Sequence, residues 1–411
     1  MEQRLLNREN PLGQGQNVVF PDYGGYSISE IAALVRALYG LDHQETDFSQ
    51  IASELDRYER IVLLVLDGLG YRKYRSLVAQ HPDTPLANLA KRGRILPLTS
   101  VYPCTTATAL CSLSTGLSPV EHGMIGYRLY LRETGTITNM IRFSILGNDR
   151  PEAAFSMGLS LEQLLPRPTL HQQLSSAGIR THSVLASFIA NSGLSRTLYQ
   201  GSSDIHPALT FSDMLVQTRT LLGKSTGPTF VSLYWSTLDS IAHVRGPHTE
   251  SYDAEFRLLN EAMEREWEGQ LKDTLLLVTA DHGFVPMRDE DYLDPDALFD
   301  AKGSLVRLPV GEPRASYLFA KESARQRIHD AFTSDSPHGL ICLTAAEMLD
   351  SKLLGDGSPH PEVRSRMGDL AVLSTGRAGL YHDYPDGVRL QGMHGGLTAD
   401  EMLVPFIMAP Y

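Results

Sequence analysis

The sequence predicts an α/β fold with a doubly wound, mostly parallel sheet that is flanked by helices. Short apolar runs, typical of buried strands, alternate with helix-length segments of mixed polarity along most of the chain, and this alternation is typical of α/β proteins. Several of the apolar runs are followed within a few residues by acidic or histidine side chains. Parallel strands place such residues together at one edge of the sheet, where ligands bind.

The individual elements follow from these runs. The clearest candidates for buried parallel strands are Ile61–Leu66, Ile95–Val101, His182–Ala186, Thr229–Tyr234 and Leu275–Thr279, and Met402–Met408 is expected to be the last strand. The helix-length segments between them are Tyr71–Arg92, Thr106–Leu117, Ser160–Ala177, Thr210–Leu222 and Glu250–Gln270. Because a buried helix can show the same apolar run as a buried strand, periodicity fixes these bounds only approximately.

The segment from residue 289 to residue 390 departs from this rhythm. It is richer in Pro, Gly and charged residues, yet it contains strand-like pieces such as ASYLFA and helix-like pieces such as AAEMLDSKL. We therefore expect residues 289–390 to form an inserted, smaller α+β cap. Residues 1–288 and 391–411 are expected to form the α/β catalytic core.

Composition narrows the class of protein. The 411-residue chain has a formal net charge of −12, which argues against a general nucleic-acid binder but leaves a phosphate substrate open, because bound metal ions invert the local charge. Its three cysteines form no disulfide framework and fit a reducing compartment. We read no secretory signal at the N-terminus, and no stretch reaches the roughly 18 apolar residues of a membrane span. The expectation is a cytoplasmic enzyme without a membrane partner.

Carboxylates and imidazoles that follow the apolar runs form a candidate metal site. They are Asp67, Asp239, His243, Asp281, His282 and His394. The spacing of Asp239 and His243 puts both on one face of a helix, and zinc accepts both kinds of ligand.

Taken singly, each of these residues has an ordinary alternative. Asp67 can cap a helix, and the Asp281 segment can be a plain strand-end turn. His394 can be a solvated loop residue, and His243 an unrelated surface histidine. Only their common position after buried strands argues for one site.

Thr106 is the candidate nucleophile of this site. It lies at the expected N-terminus of a helix, where backbone N–H groups and the helix dipole favour an anion. A metal bound to its hydroxyl would lower the hydroxyl pKa and activate it. Thr105 and Thr106 are also both possible N-caps. With the carboxylates and imidazoles, this threonine predicts a two-metal hydrolytic site for phosphoryl transfer.

The order of these motifs resembles the alkaline phosphatase superfamily, and within it the type I phosphodiesterase/nucleotide pyrophosphatase branch. The motifs are Asp-Gly after the first strand, a threonine turn leading to STGLSPVEHG, D-x-x-x-H, D-H-G and a late H-G-G. The resemblance extends from about Ile61 to Pro410. It implies a metal-dependent hydrolase of phosphodiester or nucleotide pyrophosphate bonds, with two divalent ions, expected to be zinc, and a small nucleotide-like substrate.

The resemblance also implies a role for each residue of the site. One metal would be held by Asp239, His243 and His394, and the other by Asp67, Asp281 and His282. Thr106 would contact the metals and form a phospho-threonine intermediate. The family places its nucleophile nine positions before the threonine of the Thr-Gly turn, here Thr115, which selects Thr106 over Thr105.

Tyr127 and Arg128 mark a departure from the family pattern. Phosphodiesterases of this type usually carry an asparagine shortly after the His-Gly segment, but here HGMIGYRLY places Tyr127 at that position. A tyrosine hydroxyl can donate a similar hydrogen bond, and Arg128 can bind a non-bridging phosphoryl oxygen. A phosphomonoesterase or phosphonate hydrolase on the same scaffold is therefore the main alternative. A phosphosugar mutase and a non-catalytic metal- or phosphate-binding protein are the others.

Three residues of the expected cap are candidates for contact with a substrate. They are Arg307, Arg314 and Tyr317. Packing and surface roles are favoured for them over contact with a substrate.

Overall fold

Two β-sheets organise the described part of this computed structural model, which covers residues 1–8, 12, 18–41, 46–160, 163–332, 339–384 and 389–411. Its strands are, in chain order, β1 (Arg60–Leu66), β2 (Arg94–Thr99), β3 (Arg128–Leu131), β4 (Thr136–Asn139), β5 (Arg180–Ala186), β6 (Asp204–Ala208), β7 (Thr229–Trp235), β8 (Thr274–Thr279), β9 (Val285–Pro286), β10 (Tyr292–Leu293), β11 (Val310–Glu312), β12 (Ala315–Leu318), β13 (Leu340–Thr344), β14 (Leu370–Ser374), β15 (Gly379–Leu380), β16 (Gly392–Met393) and β17 (Leu403–Pro410).

The helices cover both faces of the larger sheet, and several short helices pack against the smaller one. They are α1 (Glu2–Leu6), α2 (Ile31–Leu38), α3 (Tyr71–Gln80), α4 (Pro85–Arg92), α5 (Thr106–Thr115), α6 (Pro119–His122), α7 (Leu170–Ser176), α8 (Gly193–Leu198), α9 (Phe211–Lys224), α10 (Thr237–Arg245), α11 (Glu250–Trp267), α12 (Pro295–Phe299), α13 (Ala301–Ser304), α14 (Arg325–Asp330), α15 (Ala345–Asp350), α16 (Val363–Met367) and α17 (Ala399–Met402). Short 3₁₀ helices lie at Ile28–Glu30, Ser49–Glu54, Phe155–Met157, Asp289–Asp291 and Glu322–Ala324.

The larger sheet has the strand order β2-β17-β8-β1-β7-β5-β6. Strands β8, β1, β7, β5 and β6 pair in parallel, whereas β17 runs antiparallel to both of its neighbours, β8 and β2. Every residue of β7 and β8 is buried, as expected for parallel strands covered on both faces. The predicted fold class, a mostly parallel α/β sheet flanked by helices, is confirmed.

The smaller sheet has the order β13-β14-β12-β11-β3-β4, and its strands pair antiparallel. Four of its strands come from the segment predicted to be a cap, but β3 and β4 come from residues 128–139, inside the range predicted to be core. This sheet therefore joins the segment after Tyr127 to the later part of the chain. The division into a core and an inserted cap at residues 289–390 stays a prediction.

Some elements differ from the sequence-based expectation, and proline accounts for three of the differences. The segment Tyr71–Arg92 forms two helices because Pro85 disfavours helical backbone at the residue before it. The expected helix at Ser160–Ala177 is helical only in α7, after Pro166 and Pro168, and residues 161–162 lie outside the description. Strand β6 was not predicted, since its sequence DIHPA lacks an apolar run and Pro207 is tolerated only at a sheet edge.

Among the described residues, no helix is long and apolar enough to cross a membrane.

Candidate active site

The candidate site lies where the carboxyl ends of three neighbouring strands meet. Asp67 directly follows β1, Asp239 lies in the first turn of α10 after β7, and the Asp281–His282 pair follows β8. Because β8, β1 and β7 are adjacent in the sheet, their ends bring these side chains together. The loop after β16 adds His394 from the far end of the chain.

The first group of side chains surrounds the His282 ring. The Nε2 atom of His282 lies 3.5 Å from Asp67 Oδ1 and 3.5 Å from Asp281 Oδ2. The hydroxyl of Thr106 lies 3.2 Å from the same nitrogen. All four residues are buried. The distances show that the predicted nucleophile and one predicted set of metal ligands are in direct contact.

The second group adjoins the first. His243 Nε2 lies 3.3 Å from Asp239 Oδ1, and His394 Nε2 lies 3.2 Å from His243 Nε2 and 3.9 Å from Asp239 Oδ1. The His394 ring stacks on the His282 ring with their centroids 3.6 Å apart. The structure thus brings all six predicted metal ligands and Thr106 into one continuous cluster.

Backbone carbonyls orient each of the three imidazole rings. His243 Nδ1 lies 2.9 Å from the Gly392 carbonyl, His394 Nδ1 lies 2.9 Å from the Cys104 carbonyl, and His282 Nδ1 lies 3.2 Å from the carbonyl of the next residue. A carbonyl only accepts, so in each neutral ring the proton belongs on Nδ1. Nε2 is then left with its lone pair directed into the cluster, which is the usual arrangement for metal-binding histidine.

Three carboxylate oxygens face these nitrogens without a hydrogen-bond partner in the described part of the chain. They are Asp67 Oδ1, Asp239 Oδ1 and Asp281 Oδ2. Burying a carboxylate oxygen without a partner is costly unless a cation compensates it. Two ligand atoms of a tetrahedral zinc ion lie about 3.3 Å apart, close to most of the separations seen here. The residues therefore fit bound divalent metal.

The electrostatics of the cluster support this fit. Burial, with the neighbouring carboxylates of Asp239 and Asp281, raises the pKa of Asp67 well above its ordinary value. Burial and the two neighbouring imidazoles lower the pKa of His394 well below its ordinary value. Burial opposes ionisation of Asp239 as well, but its interaction with His243 outweighs this and lowers its pKa. Burial opposes a charge on His243 too, but Asp239 outweighs this and raises the pKa of His243. A bound cation would compensate the crowded carboxylates.

Helix α5 positions Thr106 at its first turn. Thr105 is the N-cap, with extended backbone angles, and the helix runs for 10 residues to Thr115. The Thr106 hydroxyl faces His282. The residue that contacts the cluster is therefore Thr106, the one selected by the spacing to Thr115.

Tyr127 and Arg128 lie at the start of the smaller sheet. The Asn139 side-chain amide donates to the Tyr127 hydroxyl at 2.8 Å, and the Arg128 guanidinium lies over the Tyr127 and Tyr384 rings, at 4.9 and 4.4 Å from their centroids. Arg128 and Asn139 also line a cavity of about 150 Å³. An asparagine amide is thus present beside Tyr127, although it comes from β4 rather than from the position the family uses.

Three further residues support the site and were not predicted from sequence. The Tyr234 hydroxyl donates to Asp67 Oδ2. The Phe284 ring packs edge-on against the rings of His243 and His394, with centroids 4.9 and 5.1 Å away. Only their positions in the sequence could have indicated a role at the site. Tyr234 lies near the end of β7, and Phe284 directly follows Asp-His-Gly.

Glu312 is the third unpredicted residue, and it connects the Tyr127 segment to the His394 loop. Its Oε2 accepts the Tyr127 backbone N–H at 3.1 Å, and its side chain packs so closely on Gly395 that a Cβ there would lie 2.9 Å from Glu312 Cγ. Burial raises the pKa of Glu312 to about 8. No sequence motif pointed to this residue.

Two of the three cap residues that are candidates for substrate contact take packing positions. Arg314 is fully buried and paired with Glu401, and Tyr317 is fully buried. The Arg307 guanidinium lies 3.6 Å from the centroid of the Tyr130 ring.

Comparison with known proteins identifies the family. The model of the family described as type I phosphodiesterase / nucleotide pyrophosphatase matches residues 61–397. The chain belongs to this family. The predicted resemblance to it is confirmed, as is the prediction of a hydrolase that acts on phosphoric ester bonds. A comparison with curated proteins found no match.

Solved structures with the same fold include two kinds of protein. Murine ectonucleotide pyrophosphatase/phosphodiesterase 5 superposes with a TM-score of 0.64 at 15% identity, covering 86% of this chain and 88% of that one. An inactive variant of that protein was solved in complex with AMP. Phosphonoacetate hydrolase from Sinorhizobium meliloti 1021, in complex with phosphonoformate, superposes with a TM-score of 0.62 at 20% identity, covering 86% and 92%. At these identities the likeness establishes the fold.

Proposed function

We propose that this protein hydrolyses phosphodiester or nucleotide pyrophosphate bonds in a small nucleotide-like substrate, through a phospho-threonine intermediate on Thr106 at a two-metal site. One observation carries the proposal. The Thr106 hydroxyl lies 3.2 Å from His282 Nε2. It is inside a buried cluster in which three carboxylate oxygens lack a hydrogen-bond partner among the described residues, and bound cations would compensate them.

The two ligand groups divide the cluster between the metals. Asp67, Asp281 and His282 would hold one ion, and Asp239, His243 and His394 the other. Mixed carboxylate and imidazole ligands favour zinc among the divalent metals. When bound, the ions supply positive charge to the phosphoryl group and lower the pKa of the Thr106 hydroxyl.

The residues of the chain account for the two half-reactions. In the first, Thr106 Oγ1 loses its proton and forms a bond to phosphorus, the bond from phosphorus to the leaving oxygen breaks, and the leaving oxygen takes up a proton. In the second, a water oxygen loses one proton and bonds to phosphorus, the phosphorus–Thr106 bond breaks, and the threonine oxygen takes up a proton. The N-terminus of α5 attracts the negative phosphoryl oxygens throughout.

The substrate class rests on charge and on the neighbouring structures. Structurally similar proteins have been solved with AMP and with phosphonates, and the net charge of −12 disfavours a nucleic-acid polymer. We also propose a cytoplasmic location, since three buried, unpaired cysteines suit a reducing compartment.

A second candidate function is hydrolysis of phosphomonoesters or phosphonates. Arg128 favours it, because a guanidinium donates strong, charge-assisted hydrogen bonds to charged phosphoryl oxygens, and a monoester carries one more of these than a diester. The Arg128 guanidinium lies over the Tyr127 and Tyr384 rings and lines the small cavity.

Replacing the nucleophile tests the proposed mechanism. Thr106→Ala is expected to lower turnover by about 10³-fold or more, while the zinc content per chain stays unchanged. Thr105→Ala is the matched control, since it removes the neighbouring hydroxyl, which makes no capping hydrogen bond to the helix, and leaves the hydroxyl at His282 in place. Turnover and zinc content should be measured on the same samples. Full turnover by the Thr106 variant would exclude the phospho-threonine intermediate.

A further inference from the structure

A second cluster of metal-binding side chains lies on the outer edge of the larger sheet. It consists of His182 on β5 and of Asp204 and His206 on β6, and one ligand atom from each lies within 4.8 Å of the others. In the parallel register His182 is opposite Asp204. Side chains alternate between faces along a strand, so Asp204 and His206 share the face on which His182 lies.

The geometry of the two imidazoles matches that of two ligands on one metal ion. His206 Nε2 lies 3.3 Å from His182 Nδ1. Two nitrogens bound to a tetrahedral zinc ion with Zn–N bonds of about 2.05 Å are about 3.3 Å apart. The corresponding pair in the candidate active site, His243 and His394, has its nitrogens 3.2 Å apart.

The Asp204 carboxylate can complete the set. Its side chain is exposed and can rotate. Rotation can shorten the distance from the carboxylate oxygen to the histidine nitrogens, now up to 4.8 Å, to the roughly 3.3 Å between two ligands of one zinc ion. The two histidines are half-buried, which leaves an ion a path from solvent. Arg180, the nearest strand neighbour with a positive charge, directs its guanidinium to Thr226 Oγ1 at 2.8 Å.

This cluster is separate from the candidate active site. His182 is aligned with Val231 of β7, four residues before Trp235, whereas the active-site residues follow the ends of β1, β7 and β8. Strand β6 is the last strand of the sheet order, and Pro207 deprives it of one backbone donor. It therefore has weaker backbone pairing than the inner strands.

We propose that His182 Nδ1, His206 Nε2 and the Asp204 carboxylate bind one divalent transition-metal ion, zinc by ligand type, with water in the remaining position. The ion cross-links the edge strand β6 to β5 and has a structural role. The site does not depend on the function proposed above.

Metal counting on the full chain without an affinity tag tests the site. Metal-stripped protein is dialysed against zinc at a buffered free concentration in the micromolar range, and zinc per chain is measured by mass spectrometry. The His182→Ala/His206→Ala double variant is expected to hold one zinc ion per chain fewer than the wild type. His81→Ala, which removes a histidine outside both clusters, is expected to hold the same number as the wild type.

Two further variants make the result specific. If the double variant does not fold, His206→Gln takes its place in the test, because glutamine keeps a polar side chain of similar size. This variant should also hold one zinc ion per chain fewer than the wild type. A variant with Asp67→Asn and Asp281→Asn should still bind the zinc ion that the histidine substitutions remove. This result would show that the ion does not belong to the candidate active site. Equal zinc content in the wild type and the histidine variants would overturn the proposal, leaving two imidazoles joined only by a hydrogen bond.

Discussion

Single atoms determine what the candidate active site can bind. Backbone carbonyls accept from Nδ1 of His243, His282 and His394, so each ring presents Nε2 to the cluster. Opposite them, three aspartate oxygens have no partner among the described residues. The sequence indicated which residue types gather here, but the carbonyl contacts depend on the local backbone and could not be predicted.

Glu312 provides a prediction at the residue scale. Burial raises its pKa to about 8, so between about pH 4.5 and 8 the folded state holds a proton that the unfolded state has lost. Its contribution to the free energy of unfolding therefore falls as pH rises through this window, by at most about 1.4 kcal/mol per pH unit. Glu312→Gln removes the titrating group while keeping the shape of the side chain.

The measurement compares urea unfolding of metal-stripped wild type and Glu312→Gln at several pH values. The variant should match the wild type near pH 5 and become progressively more stable relative to it towards pH 8. A constant difference across this range would show that Glu312 titrates near its ordinary pKa.

The surroundings of Tyr127 were only partly predictable from the sequence. Its position after the His-Gly segment predicted a hydrogen bond to a phosphoryl oxygen, and this role stays a prediction. The structure adds the Asn139 amide, which donates to the Tyr127 hydroxyl. Asn139 reaches this position through the β3–β4 hairpin, a pairing that no motif in the sequence indicated.

At the scale of elements, the inner strands were the most predictable part of the fold. Strands β1, β7 and β8 are near-continuous apolar runs because helices cover both of their faces. The edge strand β6 lacks such a run, and its pairing depends on β5. The smaller sheet was not foreseen as one unit, since β3 pairs with β11 across more than 180 residues of sequence.

Close approach at Gly283 provides a prediction at this scale. A Cβ at this position would lie 2.0 Å from the Asp400 carbonyl oxygen and 2.8 Å from Gly70 Cα. Both obstacles are backbone, so Gly283→Ala must displace the loop that carries Asp281 and His282. We expect a loss of about 2 kcal/mol or more in the free energy of unfolding, together with reduced turnover.

Gly223→Ala is the matched control for this change. Gly223 lies in α9 with nothing within 4 Å of the added Cβ, so alanine should stabilise the helix by about 0.5–1 kcal/mol. Both free energies can be obtained from chemical denaturation. Equal stability of the two variants would contradict the close packing of the loop against α17.

At the scale of the whole molecule, a buried ion pair joins the two sheets. Arg314, in the turn between β11 and β12 of the smaller sheet, pairs with Glu401 of α17, which leads into β17 of the larger sheet. Its guanidinium also donates to the carbonyl oxygens of Gly376 and Arg377. Both charged side chains are fully buried.

Breaking this pair is therefore expected to be costly. Arg314→Met leaves the Glu401 carboxylate buried without its partner and should lower the free energy of unfolding by about 3–5 kcal/mol. Arg325→Met is the control, because Arg325 pairs with Asp369 at 2.7 Å while its side chain is 48% exposed, and its loss should cost at most about 1 kcal/mol. Similar losses for both variants would show that the buried pair does not hold the sheets together.

The order of the motifs, more than any single residue, allowed the site to be predicted. Asp67 and His394 are separated by more than 300 residues, and only the sheet topology brings them together. When the family is recognised, the order of its motifs predicts that these residues lie together, even though the sheet topology is not known from the sequence. The cluster of His182, Asp204 and His206 has no such order, so it became visible only once β5 and β6 were paired.

The most direct test of the account is the metal dependence and substrate preference of the purified protein. Turnover of bis(p-nitrophenyl) phosphate and of p-nitrophenyl phosphate should be measured before chelation, after chelation and after zinc is added back. The proposed mechanism predicts that turnover of the diester exceeds that of the monoester, that chelation abolishes it and that zinc restores it. Preference for the monoester would move the assignment to the second candidate function. Turnover that is unaffected by complete metal removal, or no turnover of either substrate in zinc-replete protein, would contradict the account.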